Sequence, residues 1–310
     1  MKPPSNGVHG FPVGSRAAAP AVTSPPRPLY WSVRREIWEN RSVYVAPLAV
    51  ATVVMVGTLI GMIGLPAQMR DLPTLDPAQQ HAVLVRPFDM APAPIMLATF
   101  IVGVFYSLDA LYGERRDRSI LFWKSLPVSD WTTVLAKASI PLVVLPLIGL
   151  VVSVAVQIAL LLLGSAVVLG SGLDPAPLWA EFGFFRGLVI MSYGLAVHAL
   201  WFAPIYGWAL LVSAWARRAP LLWAVLPLLA VSAVERMAFD TWTFASLLRY
   251  RVVGAMTEAF VGFGSEGDIE RFSQLDPVGF LTTPGLWLGL VFAAACLAAT
   301  VRLRRYREPI

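Results

Sequence analysis

Six long apolar stretches divide this chain and limit the folds that are open to it. They cover approximately residues 45–65, 93–111, 139–169, 187–212, 220–239 and 285–301. A helix needs about 20 mainly apolar residues to cross the hydrocarbon core of a bilayer, so each stretch predicts one transmembrane span. The third stretch is longer than a bilayer requires, and we expect it to tilt or to protrude, with a bend near Pro141 and Pro146.

The composition places the chain in a membrane. Of its 310 residues 57% are hydrophobic and only 14% are charged, whereas a soluble domain carries about 25% charged residues. The apolar stretches lack the residue-by-residue alternation of a barrel strand, and helices are the other solution that satisfies every backbone group in lipid. The sequence therefore predicts an all-α, polytopic membrane protein with six transmembrane helices.

Lysine and arginine are distributed unevenly between the two sides that six spans create. With residues 1–28 left out, 14 of them fall on the side of the chain termini and 7 on the other side. Because short basic loops stay in the cytoplasm, both termini and the loop Gly113–Lys137 are predicted to be cytoplasmic, in an inner (plasma) membrane. The same asymmetry accounts for the net charge of +5, so no nucleic-acid partner is needed.

The N-terminal part divides into a tail and a helix. Residues 1–28 contain seven prolines and no apolar core of signal-peptide length, which predicts a disordered cytoplasmic tail before a six-span domain over 29–310. Within Leu29–Asn40, the apolar residues Tyr30, Val33 and Ile37 recur at helical spacing against the charged run 34–36. This pattern predicts an amphipathic helix in the plane of the membrane. A larger outer loop, Asp240–Pro284, precedes the last span.

Residues that could carry chemistry inside the membrane are few. The sequence contains no His-Glu-x-x-His, no Gly-x-Ser-x-Gly and no Walker motif, and its single cysteine is Cys296 in an apolar stretch. We therefore expect no catalytic residue, metal site or cofactor in this chain. Gln157 and His198 are polar residues well inside spans; each is most simply an interhelical hydrogen-bonding group, and each is also a candidate for a substrate path.

The loop between the second and third spans is short and strongly basic. It contains Gly-Glu-Arg-Arg-Asp-Arg-Ser-Ile-Leu-Phe-Trp-Lys-Ser-Leu-Pro, from residue 113 to residue 127. On a helix, Phe122, Trp123 and Leu126 would share one face, and Asp117, Leu121 and Lys124 would point the other way. Proline 127 would end this helix. The pattern predicts a short surface helix, which either anchors the chain at acidic lipid headgroups or offers its charged face to a soluble partner.

The segment 111–137 resembles the loop after the second span of ABC-2-type transporter permeases. The resemblance rests on Glu114-Arg115, on the run Arg118-Ser-Ile-Leu-Phe-Trp-Lys-Ser-Leu-Pro-Val-Ser-Asp130 and on the trailing Lys137. In that family the loop carries a coupling helix that docks on a cytoplasmic ATPase. The docking residues that the resemblance implies are Glu114, Arg115, Arg116, Asp117, Arg118, Leu121, Phe122, Trp123, Lys124 and Leu126.

The resemblance also implies partners and a function. Two permease subunits, as a homodimer or a heterodimer, would sit above two ABC ATPase subunits that hold the ATP and Mg²⁺, and would export a substrate. This chain would then be no enzyme itself. One alternative belongs to another class: a non-transporting membrane scaffold or sensor, whose basic loop recruits a cytoplasmic partner without ATP-driven motion.

Overall fold

The fold is a bundle of membrane-length helices with short helices at both ends. The computed structural model describes residues 28–125, 128–262 and 272–306. In these ranges the α-helices are α1 Pro28–Glu39, α2 Ser42–Gly61, α3 Leu65–Asp71, α4 Pro77–Asp89, α5 Pro92–Asp109, α6 Tyr112–Arg116, α7 Ile120–Ser125, α8 Asp130–Ser139, α9 Leu145–Gly170, α10 Ala176–Glu181, α11 Phe184–Trp201, α12 Ala203–Trp215, α13 Pro220–Phe239, α14 Thr243–Ala259, α15 Pro277–Thr282 and α16 Pro284–Tyr306. The predicted tail lies almost wholly outside the described residues.

Six helical segments are long and apolar enough to cross a membrane, as the sequence predicts. They are Ser42–Thr74, Pro92–Arg116, Asp130–Gly170, Ala176–Trp201, Pro220–Phe239 and Pro284–Tyr306. The all-α, six-span prediction is therefore confirmed for the part of the chain that the structure describes. The outer loop before the last span contains α14 and α15.

The fourth predicted span is wrong in one respect, because it is two helices. The sequence predicts a single helix over 187–212, but α11 ends at Trp201 and α12 begins at Ala203. Pro204 lacks an N–H, so the hydrogen bond that it would donate to the carbonyl of Leu200 is missing. The apolar run continues through this break, which is why the hydropathy pattern does not reveal it.

The third span is one continuous helical segment of 41 residues, from Asp130 to Gly170. At 1.5 Å per residue it is about 60 Å long, roughly twice the hydrocarbon thickness, so it protrudes as expected. Ser129 caps its start, accepting a hydrogen bond from the backbone N–H of Thr132 at 3.1 Å. Around Pro141 the helix widens to a π-helical turn, Ile140–Val144, the local disturbance that a proline inside a helix causes.

The central packing joins α5, α12 and α16. Gly207 on α12 faces α16 so closely that a Cβ there would lie 3.3 Å from the backbone of Ala293. Gly103 on α5 lies against the ring of Tyr206, where a Cβ would come within 2.9 Å of Cε1. These glycines let α12 approach both neighbours, and α12 is consequently the most buried of the apolar helices.

The first helix packs on the bundle through an unexpected side chain. Val33 and Ile37 contact the cluster of Tyr106 and Ile140, as their spacing indicates. The sequence assigns Glu36 to the polar face of α1, and this is wrong: its side chain is buried on the same side as Val33 and Ile37. Glu36 can be buried because the bundle provides basic and hydroxyl groups that bind its carboxylate.

Two ends of the bundle differ in charge. We call the end that carries α1, α6, α7, the start of α8 and the C-terminal turns of α12 and α16 the basic end. The other end, formed by α3, α4, α10, α14 and α15, is called the opposite end. The loop Gly113–Lys137 lies at the basic end.

Candidate functional site

Four charged side chains with at most 9% exposure meet at the basic end, and we call them the ion cluster: Glu36, Glu114, Lys137 and Arg304. The ammonium of Lys137 lies 2.9 Å from Oε1 of Glu36 and 3.0 Å from Oε1 of Glu114. The guanidinium of Arg304 lies 2.6 Å from Oε2 of Glu114. Two negative and two positive charges therefore compensate one another where water is excluded, as buried ions require. The cluster joins α1, α6, α8 and α16.

The buried Tyr106 and the partly exposed Arg35 and Asp130 complete the coordination of the ion cluster. Arg35 donates to Oε1 of Glu36 at 2.6 Å, and the hydroxyl of Tyr106 donates to Oε2 of the same carboxylate at 2.8 Å. Arg304 also donates to Asp130 at 3.2 Å. Burial by itself raises the pKa of Glu36, but Lys137, Arg35 and Tyr106 together hold that pKa below its ordinary value.

The helix α6 and the C-terminus of α12 cap each other. The hydroxyl of Ser213 accepts the backbone N–H groups of Leu111 and Tyr112 at 3.0 and 2.9 Å, satisfying donors that α6 leaves free at its start. In return, Arg115 donates to the carbonyl oxygens of Ser213 and Ala216 at 2.6 and 2.7 Å. These are among the last carbonyls of α12, which have no partner within their own helix. The first half of the loop is thus fixed to the bundle.

After α6 the loop turns and presents an exposed segment. Arg118 adopts a left-handed backbone conformation with φ of 58°, and this turn separates α6 from α7. Ile120 is buried and attaches α7 to the bundle, whereas Leu121 and Phe122 are each 60% exposed. Arg116 is also exposed, and its guanidinium lies 3.0 Å from the carboxylate of Asp117. This exposed set, Arg116, Asp117, Arg118, Leu121 and Phe122, is called the loop surface below.

The structure places the residues implied by the family resemblance in two different environments. Glu114 and Arg115 are buried in the contacts just described, so their side chains hold the loop rather than face outward. The loop surface is accessible from outside the chain. The sequence predicts one helix with Phe122 and Leu121 on opposite faces; the structure has two helices, and both side chains are exposed. Trp123 and Lys124 lie in α7, and Leu126 lies outside the described residues.

A cavity of about 590 Å³ lies in the half of the bundle away from the loop surface. Its walls come from the end of α4, the start of α5, the middle of α9, one face of α11 and the end of α14. Gln157 and His198, the two polar residues that the sequence singles out, both line it. They come from different spans, and the fold brings them to one site.

The deep end of the cavity is closed by aromatic rings at the break between α11 and α12. Nε2 of His198 lies 3.0 Å from the hydroxyl of Tyr206. The ring of Phe202 packs against those of Phe100 and His198, with centroids 4.7 and 4.9 Å apart. These contacts separate the cavity from the basic end. Gln157 lies elsewhere in the lining, where its Nε2 donates to the carbonyl of Phe88, the residue before Asp89, at 3.4 Å.

Two charged residues line the cavity nearer the opposite end, and the sequence reasoning missed both. Asp89 is the last residue of α4, and Arg186 lies in the first turn of α11. They are almost 100 positions apart in the chain, so no spacing relates them. The only sequence signal is that each lies within a few residues of the start of a predicted span.

Comparison of the chain with models of known protein families, with curated proteins and with solved structures finds no match.

Proposed function

We propose that the chain is the membrane-spanning permease subunit of an ABC-2-type transporter, which exports a substrate with ATP hydrolysed by a separate subunit. The observation that carries the proposal is the loop surface. Leu121 and Phe122 are exposed apolar residues among charged ones, on a segment whose first half is fixed to four helices. An exposed apolar pair with a charged surround is the composition of a protein contact.

In this proposal the loop acts as a lever on the bundle. A cytoplasmic ABC ATPase, with its bound ATP and Mg²⁺, contacts the loop surface, and closure of the ATPase subunits displaces α7. The free energy comes from the difference in the partner's affinity for ATP between its two states. Two copies of the permease, identical or related, lie side by side in the inner membrane, with both termini in the cytoplasm. Acidic lipid headgroups contact the remaining basic side chains.

The cavity supplies the second half of the proposal. It approaches mid-membrane from the opposite end, which would face outward in this orientation, and the ring cluster at Phe202 closes it toward the cytoplasm. A transporter that exposes its site to one side at a time needs a closed barrier of this kind. The position of Gln157 and His198 in the cavity supports their assignment to the substrate path.

The test is capture of the partner from the native membrane. The full-length tagged chain is solubilised with and without a non-hydrolysable ATP analogue, and the captured proteins are identified. We expect an ATPase whose recovery depends on nucleotide, and at least a tenfold loss of recovery on substitution of Leu121 and Phe122 by serine. Val278→Ser is the matched control, since Val278 is exposed on α15 at the opposite end.

The result also separates the proposal from its alternative. A scaffold or sensor would retain a partner through the same surface, but the partner would be no ATPase, or its recovery would be independent of nucleotide. Recovery of the ATPase that is equal for the Leu121 and Phe122 variant and for wild type would contradict the assignment of the loop surface.

A further inference from the structure

The cavity is enclosed by a single chain and does not need a second copy to form its walls. The face of α11 that lines it follows helical spacing through Gly187, Met191, Gly194 and His198. Two of these four residues have no side chain. A Cβ at Gly187 or at Gly194 would meet no heavy atom within 4 Å, so neither glycine is required by packing against a neighbouring helix. Their effect is to keep the cavity open.

The middle of the cavity is apolar and adaptable. Four methionines line it, Met90, Met96, Met191 and Met256, together with several phenylalanines. Methionine side chains are flexible and polarisable, and they fit apolar ligands of various shapes. A volume of about 590 Å³ lies within the range of roughly 300–1,000 Å³ that holds a ligand of drug size.

The deep end offers a hydrogen bond without charge. His198 uses its Nε2 in the contact with Tyr206, and Nδ1 of His198 has no hydrogen bond among the described residues. Gln157 lies nearer the charged lining residues, because the carbonyl that it binds belongs to Phe88, the residue before Asp89. Arg186 is about three helical turns from His198 along α11. An ion placed beside His198 would therefore lose its hydration with no counter-charge to replace it.

We propose that this cavity binds a neutral, mainly apolar molecule with one hydrogen-bonding end, and that His198 receives that end. The apolar body lies between the methionines, and the molecule enters past Asp89 and Arg186. Met90 beside Asp89 is 69% exposed, which marks the open side. That the molecule is the exported substrate rests on the proposed function; the binding itself does not.

The probe is 4-(hydroxymethyl)benzophenone, a neutral two-ring ketone with one hydroxyl, which inserts into nearby C–H bonds when it is illuminated. The full-length chain is labelled in lipid nanodiscs without ATP or partner, and the adducts are located by mass spectrometry of peptides. We expect saturable labelling of Met191 or Met256. Met237 on α13 is 87% exposed and reports probe that is merely dissolved in lipid.

Glycine substitutions test the place of binding. Gly194→Leu adds a side chain to the cavity wall, where a Cβ meets nothing within 4 Å, and should lower the labelling of Met191 or Met256 relative to Met237 at least fivefold. Gly187→Leu, two helical turns away, is expected to act in the same direction. Gly170→Leu is the matched control: this residue is also helical, a Cβ there meets nothing within 4 Å, and it does not line the cavity. We expect it to label as wild type.

Substitution of the polar end tests the chemistry. Benzophenone itself, which lacks the hydroxymethyl group, should need a roughly fivefold higher concentration for half-saturation, because it loses about one hydrogen bond to the cavity. This preference should disappear in His198→Phe. Labelling that Gly194→Leu leaves unchanged would overturn the proposed site. Equal labelling by the anion 4-benzoylbenzoate would overturn the neutral ligand class. Because no nucleotide is present, either failure is distinct from a failure of ATPase capture.

Discussion

Arg304 and Arg305 are adjacent residues that test the ion cluster against a surface ion pair. Both are arginines in the last turn of α16, and both approach Asp130. Arg304 is 3% exposed and also binds Glu114 at 2.6 Å, whereas Arg305 is 61% exposed and lies 3.9 Å from Asp130. Replacing either one by methionine removes one positive charge from the same end. The two variants therefore differ only in burial and in the number of contacts.

The expected magnitudes differ several-fold. Removing one partner of a buried ion pair costs about 3–5 kcal/mol, because the remaining charge stays buried without compensation. Glu114 keeps Lys137 at 3.0 Å, so Arg304→Met should lower the free energy of unfolding by about 3 kcal/mol, the lower part of that range. An exposed pair contributes up to about 1 kcal/mol, and Arg305→Met should remain within that limit.

The assay is reversible unfolding of the purified chain by sodium dodecyl sulfate in mixed micelles, followed by circular dichroism. A double variant, Arg304→Met with Glu114→Gln, checks the cause of the loss. It removes the excess negative charge that Arg304→Met leaves in the cluster and should recover part of the stability that Arg304→Met loses. Equal losses for Arg304→Met and Arg305→Met would refute the reasoning, since burial would then have no effect on the value of these charges.

Three further predictions concern other parts of the chain. The pKa of Glu36 is held below its ordinary value of 4.5, so the ionised carboxylate stabilises the fold above pH 4.5. This stabilisation is lost as the pH falls through the lowered pKa. Acid should therefore reduce the melting temperature of wild type more steeply than that of Glu36→Gln. Gly103→Ala should destabilise by about 1–3 kcal/mol in the same unfolding assay, because its Cβ would clash with Tyr206, whereas Gly57→Ala on α2 meets open space and should not. If the chain is the proposed permease, reversing the charge of Arg116 and Arg118 should lower transport per ATP hydrolysed at least tenfold in proteoliposomes with the partner ATPase and normal insertion, and unchanged transport would contradict the role of the loop surface.

The spans were predictable from the sequence because their signal is local. An apolar run of bilayer length specifies a helix whatever surrounds it, although the third helical segment begins at Asp130, nine residues before the predicted apolar stretch. The break at Phe202 has a local signal too, in Pro204, but hydropathy alone conceals it. Prolines also occur inside the uninterrupted helices α2 and α13, at Pro47 and Pro227, so a proline in an apolar run does not by itself predict a break.

The environments of the charged residues were not predictable, because they depend on contacts between distant parts of the chain. Glu114 and Arg304 are separated by 190 positions, and Glu36 and Lys137 by 101. In the sequence, Glu114 and Arg115 belong to the same basic run as Arg116 and Arg118, and nothing local distinguishes them. Gln157 and His198 could be singled out from the sequence as candidate site residues, because a polar residue within a span needs a hydrogen-bonding partner or a function. The cavity that both of them line could not be predicted from the sequence.

The helix α12 offers a physical route between the loop surface and the cavity. Its C-terminal carbonyls are held by Arg115, and its Ser213 holds the start of α6, so displacement of α6 must either move α12 or break four hydrogen bonds. Near its other end, Tyr206 binds His198 at the deep end of the cavity. Thirteen residues of rigid helix thus connect the two sites. Since the helix is interrupted at Phe202, α12 can move relative to α11 without bending a continuous helix. If the permease proposal holds, this break is where motion of the loop would open or close the ring cluster.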